Sequence, residues 1–290
     1  MTAPAPRSKR LTEDDVVARL RSGMTVGIGG WGSRRKPMSL VRAIVRSDLT
    51  DLTIVSYAGP DLGLLCAAGK VARAVVAFAS LDSIALEPHY RAARQAGAID
   101  DEPHDEGTFL LGLQAAAWRV PFLPTRVGLG SSLLEVNPRF ATVRNPWDEA
   151  EELVAVPALT LDAALCHLDV GDERGNAAFL GPDLYFDDLV LRAASGHRYI
   201  SVERIVPTAD LLDAAGTEQR LRINRLMVDG VVEAPGGAHF TSCVPGYERD
   251  EAFQKAYAAS AASPAAWAEF RAAWLDIDEA EYQRKVREER

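Results

Sequence analysis

Hydrophobic and polar positions along the chain alternate between short apolar runs and stretches with helical spacing. Several of the runs are apolar on both faces and rich in β-branched residues, as in parallel strands that helices cover on both sides. With amphipathic stretches between the runs, the pattern predicts an α/β fold with a doubly wound, mostly parallel sheet. The predicted strands are Thr25–Ile28, Leu52–Tyr57, Ala74–Phe78, Val127–Leu129, Leu153–Val156, Ala163–Leu168 and Tyr199–Val202, and the predicted helices are Thr12–Arg21, Ser39–Ser47, Leu62–Ala68, Pro88–Ala96, Thr108–Ala117, Asp187–Ala194 and Thr208–Ala214.

No composition shift or linker divides the chain, so residues 11–290 are predicted to form a single domain. Residues 1–10, MTAPAPRSKR, are rich in proline and alanine and lack the apolar core of a signal peptide, which predicts a disordered lead-in. The segment Asn137–Asp148 carries two prolines and two asparagines and is expected to be a surface excursion. The chain from Asp250 onward is predicted to be mostly helical.

Composition restricts the possible functions. The formal charge of −9 and the pI of about 5.2 argue against nucleic acid as a partner, because binding it needs a clustered basic face. No apolar run approaches the length needed to cross a bilayer. Three distant cysteines, Cys66, Cys166 and Cys243, fit a reducing cytoplasm and show no zinc spacing. The sequence therefore predicts a cytoplasmic protein with no metal site.

The segment Thr25–Pro37, TVGIGGWGSRRKP, is a short strand that runs into a glycine turn, three cations and a helix. Gly29, Gly30 and Gly32 allow positive φ and close approach of the backbone to a ligand. Backbone N–H groups at such a turn attract anions, and the cations Arg34, Arg35 and Lys36 add positive charge. The alternative is a strand–helix turn in which glycine serves geometry alone.

Four carboxylates crowd into the six residues from Asp101 to Glu106. Like charges this close tend to raise the pKa of one of them, and a desolvated member is a candidate general base. The pattern alone leaves the choice among the four open, and the simpler role for Glu106 is to stabilise the start of a helix by about 0.3–1 kcal/mol. Further on, Gly130 and Ser131 form a second turn where backbone can meet a ligand, with Arg126 just before it.

The histidines give weaker indications. His89 and His197 are expected at the surface, and His167, in an apolar run, is expected to be a hydrogen-bonded core residue. His104 neighbours Glu106 and is either a residue that tunes its acidity or a bystander.

Together these motifs resemble the alpha subunits of family I coenzyme A transferases over nearly the whole chain. Gly29, Gly30, Trp31 and Pro37 match the family's glycine–glycine–aromatic turn, although Arg35 stands where a later glycine is usual. Further matches are His104–Thr108, the helix and two prolines from Ala115 to Gly130, the turn Asp172–Asn176, the strand Val202–Val206, and the Val232–His239 loop.

The resemblance implies a three-layer α/β/α fold and a partner beta subunit, in an expected α₂β₂ heterotetramer. It implies no cofactor, since coenzyme A is part of the substrate. In the transferases the nucleophilic glutamate belongs to the beta subunit, and this chain lacks the serine–glutamate–asparagine–glycine motif that carries it. Glu106 stands where the family pattern has a glutamine, so an amide is replaced by a group that can accept a proton.

Within the family, the resemblance is strongest to the members that open the last steroid ring of a cyclic enone acyl-CoA by water addition and carbon–carbon cleavage. It implies that Glu106 is the general base. The expected substrate and coenzyme A contacts are Gly29, Gly30, Gly32, Arg34, Arg35, Lys36, Arg126, Gly130 and Ser131, with His104 as a tuning residue. Two alternatives stay open: a true acyl-CoA transferase whose nucleophile is on the beta subunit, and a non-catalytic subunit that binds acyl-CoA.

Overall fold

The computed structural model describes residues 8–289 and contains one large sheet that positions the candidate site. Its strand order is β1-β12-β11-β9-β2-β3-β4-β5, all parallel, and β10 pairs antiparallel with β9. The strands of the chain are β1 Arg10–Leu11, β2 Thr25–Ile28, β3 Leu52–Ala58, β4 Val71–Ala79, β5 Asp100–Pro103, β6 Phe122–Thr125, β7 Ala141–Asn145, β8 Asp148–Pro157, β9 Ala163–Gly171, β10 Ala177–Ala178, β11 Arg198–Ile205 and β12 Gly230–Glu233.

Helices cover both faces of this sheet, as the apolar runs predict. Alternate residues of one strand enter different cores: Ile54 packs with the core on the α2 and α3 side, and Val55 packs with the core on the α5 and α7 side. The predicted three-layer α/β/α arrangement is confirmed. The helices are α1 Glu13–Val17, α2 Met38–Arg46, α3 Pro60–Ala67, α4 Pro88–Gln95, α5 Glu106–Trp118, α6 Leu133–Val136, α7 Asp187–Ala193, α8 Leu211–Ala215, α9 Glu251–Ala259, α10 Pro264–Trp274 and α11 Glu279–Glu289, with short 3-10 helices at Thr208–Asp210, Glu218–Arg220 and Ser260–Ala262.

A second sheet, β6-β8-β7, is antiparallel, and the sequence analysis predicted only the part of it at Leu153–Val156, which lies in β8. The segment expected to be a surface excursion contains β7 and the start of β8, which pair as a hairpin. The predicted strand Val127–Leu129 is wrong, because these residues form the turn between β6 and α6. Alternation in β7 is weak, since only Val143 is a large apolar residue there, so its strand character comes from pairing with β8.

The N-terminal boundary of the fold also differs from the prediction. Arg10 lies in β1, where it pairs in parallel register with Val231. The Lys9 ammonium donates to the carbonyl oxygen of Val228 at 2.6 Å. Two residues assigned to a disordered lead-in are therefore part of the sheet edge, and residues 1–7 of that segment lie outside the described residues. Between residues 8 and 289, no helix is long and apolar enough to cross a membrane.

Candidate active site

The carboxyl ends of four neighbouring parallel strands meet at one edge of the large sheet. β2 ends in the glycine turn, β3 ends at Ala58, β4 at Ala79, and β5 leads into Glu106 and α5. The strand order reverses direction between β2 and β9, and in open α/β sheets ligands bind outside the carboxyl ends at such a switch point. This edge therefore contains the candidate active site.

Glu106 is the first residue of α5 and is exposed in this chain. Asp105 caps the helix, because its side chain accepts hydrogen bonds from the N–H groups of Gly107 and Thr108 at 2.8 and 3.0 Å. The hydroxyl of Tyr57, at the end of β3, donates to the carbonyl oxygen of Glu106 at 3.1 Å. On the other side, a Cβ at Gly107 would lie 3.1 Å from Val127. Glu106 thus stands between the end of β3 and the turn that follows β6.

The four clustered carboxylates have different surroundings. Asp101 accepts from Tyr90 and pairs with Arg94 at 2.8 Å. Burial opposes ionisation of Glu102, but hydrogen bonds and charges from His104 and Arg139 outweigh it and lower its pKa.

Asp105 is engaged as the cap of α5, so three of the four groups have structural partners. Within residues 8–289, the carboxylate of Glu106 forms no hydrogen bond or ion pair. Of the four carboxylates that the sequence offers as a general base, Glu106 is therefore the one without a structural partner among the described residues. Its position at the start of α5 also fits the simpler role, in which its charge stabilises the helix through the helix dipole.

His104 does not contact this carboxylate. Its side chain is buried, its Nε2 lies 3.3 Å from Glu102, and its ring meets Phe140 edge-on at 5.1 Å. Residues two apart at the end of an extended strand point to the same face, which explains the pairing with Glu102. The proposal that His104 tunes Glu106 directly is corrected to a structural role beside Glu102.

The glycine turn is not an open anion cradle. The N–H groups of Gly29, Gly30 and Gly32 donate to Leu165 O at 2.8 Å, Asp187 Oδ1 at 2.8 Å and Tyr57 O at 3.0 Å. A Cβ at Gly29 would lie 2.3 Å from Asp187, so glycine is required there for close packing of the chain against itself. The expectation that these three groups bind the substrate is wrong, because their donors are used inside the fold.

Two of the three predicted coenzyme A cations are core residues. Arg35 pairs with Asp187 at 2.9 Å, and Lys36 pairs with Asp61 at 3.2 Å, all of them buried. Lys36 also donates to the carbonyl oxygen of Tyr57 at 2.7 Å. Burial raises the pKa of the Asp187 carboxyl to about 6, against the attraction of Arg35. Arg35 and Lys36 hold the turn together and cannot reach a bound phosphate.

The remaining predicted contacts lie on the surface. Arg34 is exposed and pairs with Asp82 at 3.1 Å. Arg126 is exposed and pairs with Glu151. Gly130 and Ser131 belong to an exposed turn in which the Ser131 N–H donates to the Gly128 carbonyl oxygen at 3.2 Å. Val127 lies between this turn and Gly107 at the start of α5. That Arg34, Arg126, Gly130 and Ser131 contact the substrate stays a prediction.

An aromatic cluster beside Glu106 was not recognised from the sequence. The rings of Trp31 and Tyr57 stack with centroids 4.4 Å apart, and Phe78 and Phe186 lie 5.2 and 6.1 Å from Trp31. Burial and the negative charges of Glu106 and Asp105 raise the pKa of Tyr57, so its hydroxyl remains a donor. One feature of the sequence could have indicated the cluster: these aromatic residues lie at strand ends and at the start of a helix.

One group of possible metal ligands is present in the described part of the chain. Atoms of His167, Glu203 and Cys243 lie within 4.8 Å of one another. Both ring nitrogens of His167 are already engaged, by Ser201 and by Glu203 at 2.8 Å each, which confirms the prediction of a hydrogen-bonded core histidine. The Cys243 thiol contacts Asp169 at 3.6 Å. A metal would have to displace these contacts, and the absence of a metal site stays a prediction.

Comparison with known proteins identifies relatives of the whole chain. The family model described as coenzyme A transferase matches residues 11–234. The cholesterol ring-cleaving hydrolase IpdA subunit of Rhodococcus jostii (strain RHA1) is 55% identical over 287 residues, which cover 97% of this chain and 96% of that protein.

Two solved structures show the same architecture. Glutaconate coenzyme A-transferase from Acidaminococcus fermentans superimposes with a TM-score of 0.89 at 27% identity and covers 96% of this chain and 93% of its own. The decarboxylase AibA/AibB C56S variant gives a TM-score of 0.79 at 26% identity and covers 97% and 99%. The fold is thus similar to enzymes of different chemistry, and the site has to distinguish among them.

Proposed function

The chain belongs to the coenzyme A transferase family, and we propose that it is the alpha-type subunit of a hydrolase that opens a ring of a steroid-derived acyl-CoA. The identity of 55% to a cholesterol ring-cleaving hydrolase subunit extends over nearly the full length of both proteins, whereas identity to glutaconate coenzyme A-transferase is 27%. The observation that carries the proposal at the level of the site is the uncommitted carboxylate of Glu106 at the carboxyl edge of the sheet.

In this proposal Glu106 is the general base. It takes a proton from water, the hydroxide oxygen forms a bond to a ring carbonyl carbon, and the carbon–carbon bond to the neighbouring ring carbon breaks. The electron pair of that bond passes into an enolate that the second carbonyl group stabilises, and protonation of the enolate carbon restores Glu106. One water is consumed, and one carboxylic acid and one new C–H bond are formed; the acid then releases its proton to solvent and becomes a carboxylate. A positioned base of this kind typically supplies about 10²–10⁴ in rate.

The exposure of Glu106 supports a site completed by a second polypeptide. A carboxylate in open water is a weak base, and enclosure strengthens the electrostatic interactions that its chemistry needs. The relatives are named as subunits, which supports a partner. We propose a beta-type partner in an α₂β₂ heterotetramer in the cytoplasm, with no cofactor beyond the coenzyme A of the substrate. Arg34, Arg126, Gly130 and Ser131 are retained as candidate contacts to this substrate.

The decisive substitution is Glu106→Gln, measured in the assembled protein with a cyclic enone acyl-CoA. It preserves shape and removes the base, so ring opening is expected to fall at least about 10²-fold while substrate binding persists. Glu251→Gln is the matched control, because Glu251 is also an exposed first helical residue after an aspartate cap. If the Glu106→Gln variant opens the ring at the wild-type rate, Glu106 is not the general base and the proposal is wrong.

A second candidate is a coenzyme A transferase whose nucleophile is on the partner, supported by the TM-score of 0.89 to glutaconate coenzyme A-transferase. In that case Glu106→Gln leaves transfer intact, and a glutamyl thioester can be trapped on the partner chain with acyl-CoA and hydroxylamine or borohydride. If neither activity responds to any substitution at the site without loss of assembly, the chain is a supporting acyl-CoA-binding subunit.

A further inference from the structure

We infer that Trp31, Phe78 and Phe186 form a platform that binds the hydrocarbon ring of the acyl group beside Glu106 and selects cyclic over straight-chain acyl-CoA. We call these three residues the aromatic platform. The inference rests on the proposed function, since it takes a ring-bearing acyl-CoA as the ligand. It adds a specificity role that the position of Glu106 does not by itself supply.

The three rings come from different elements and converge at the carboxyl edge of the sheet. Trp31 lies in the glycine turn after β2, Phe78 lies in β4 and Phe186 directly precedes α7. Each is half-buried, so each keeps an exposed face or edge, and all three pack against the core on the α5 and α7 side. Half-exposed aromatic groups that gather at one point are typical of surfaces that bind apolar ligands.

Tyr57 joins the aromatic platform to the candidate base. Its buried ring lies 4.4 Å from Trp31, 5.8 Å from Phe78 and 5.8 Å from Phe186, measured between centroids. The same residue donates through its hydroxyl to the carbonyl oxygen of Glu106. Tyr57 therefore contacts both the aromatic platform and the backbone of Glu106, which places the two on the same edge of the sheet.

The backbone that presents Phe186 is strained. Tyr185 and Phe186 are consecutive bulky residues with φ of 55° and 62°, in the left-handed region that L side chains rarely adopt. The strain is maintained by Arg35, which donates to the Leu184 carbonyl oxygen at 2.8 Å and pairs with Asp187. Strain of this kind collects at functional sites, where it fixes a side chain in a required position.

The structure also provides space next to the aromatic platform. Phe78 lines a cavity of about 740 Å³, whose other walls are partly apolar (Val76, Leu86) and partly charged (Arg91, Asp101). That volume lies within the range of about 300–1,000 Å³ usual for small-molecule sites. Of the three residues of the aromatic platform, Phe78 lines this cavity. Phe78 thus connects the aromatic platform to a space in which further carbons of the acyl group could be held.

The test is a binding measurement in the Glu106→Gln assembly, so that no turnover disturbs it. Calorimetry compares a coenzyme A thioester of a bicyclic acid with a straight-chain thioester of the same carbon number. We expect Trp31→Leu and Phe78→Leu each to raise the Kd for the cyclic thioester about tenfold, and to change the Kd for the straight chain less than twofold. Trp31→Phe, which keeps a ring, should restore most of the cyclic affinity.

Trp118→Leu is the matched control, because Trp118 is an exposed aromatic residue at the opposite end of α5. It should leave both Kd values unchanged. Phe78→Leu keeps the test valid if changes in the glycine turn prevent folding, since Phe78 lies in β4 and outside that turn. If the leucine substitutions raise the Kd for both thioesters equally, or change neither Kd, the inference about the aromatic platform is wrong.

The two proposals fail in different ways. If the wild-type assembly prefers the cyclic thioester through these residues but does not open its ring, the proposed function fails and the aromatic platform stands. If the assembly opens the ring and the leucine variants retain the cyclic preference, the proposed function stands and the platform fails.

Discussion

The hydroxyl group of Tyr57 donates a hydrogen bond of 3.1 Å to the backbone carbonyl oxygen of Glu106. This bond ties the end of β3 to the first turn of α5, and Tyr57 is itself fixed by stacking on Trp31 and by the ammonium of Lys36 on its carbonyl oxygen. The position of the candidate base is therefore set by the buried core beneath it, through one side chain.

Removal of this hydroxyl should loosen the base without unfolding the protein. We expect Tyr57→Phe to lower kcat for ring opening about three- to tenfold, in line with the 0.5–1.5 kcal/mol of one hydrogen bond, and to leave KM nearly unchanged. Steady-state kinetics with thermal unfolding on the same sample checks this. An unchanged kcat would show that the bond does not position Glu106.

The buried ion pair of Arg35 and Asp187 should contribute to stability and not to coenzyme A affinity. Arg35→Ala leaves a buried carboxylate unpaired and is expected to cost about 3–5 kcal/mol in the free energy of unfolding. The neighbouring exposed Arg34→Ala, which breaks a surface pair with Asp82, should cost less than about 1 kcal/mol. Urea denaturation measures both, and similar costs at the two positions would contradict the burial assigned to Arg35.

Gly59 marks the closest contact between the β3 end and the glycine turn. A Cβ at this position would lie 2.0 Å from the carbonyl oxygen of Gly32, which is backbone and cannot rotate away. Gly59→Ala is expected to destabilise the protein by about 3 kcal/mol or more. The control is Gly196→Ala, where the added carbon meets nothing within 4 Å and the cost should stay within about 0.5 kcal/mol. Denaturation midpoints distinguish the two.

The burial of His89 should make the free energy of unfolding depend on pH. The sequence analysis expected it at the surface, but it is buried, bonded to Ser260 at 2.8 Å, and burial lowers its pKa from about 6.5 to about 4. The unfolded ring therefore binds a proton at a higher pH than the folded ring does. Its contribution to stability is complete above pH 6.5 and is lost as the pH falls toward 4.

After allowance for partial solvation of the ring, this loss should amount to about 2 kcal/mol. His89→Phe keeps the contacts with Tyr257 and Trp267 and should flatten that part of the Tm-against-pH curve. Neighbouring Glu87, whose pKa burial raises to about 7, acts in the opposite direction and is common to both proteins, so the difference between the curves isolates His89. Parallel curves would refute the prediction.

Local patterns in the sequence were sufficient for five strands of the large sheet, namely β2, β3, β4, β9 and β11, and for most of its helices, whereas β1, β5, β10 and β12 were not predicted. β-branched runs such as Thr25–Ile28 and Ala163–Leu168 could be read because a strand buried on both faces is apolar at every position. The start of α5 was predicted within two residues, at Thr108 instead of Glu106, although its cap Asp105 was not recognised. Family membership came from short motifs whose order along the chain is itself sequence information.

The chemistry of the site depended on contacts between distant segments. Arg34, Arg35 and Lys36 are adjacent cations of the same charge, and only pairing with Asp187, about 150 residues away, and with Asp61 turns two of them into core residues. The donors of the glycine turn were likewise used by Leu165, Asp187 and Tyr57. The aromatic platform gathers one ring from each of three segments. Whether a charge or a donor faces a ligand is decided by desolvation and by long-range partners, which no local pattern contains, and so the sequence determined the fold while the tertiary structure decided which of its polar groups remain free to act.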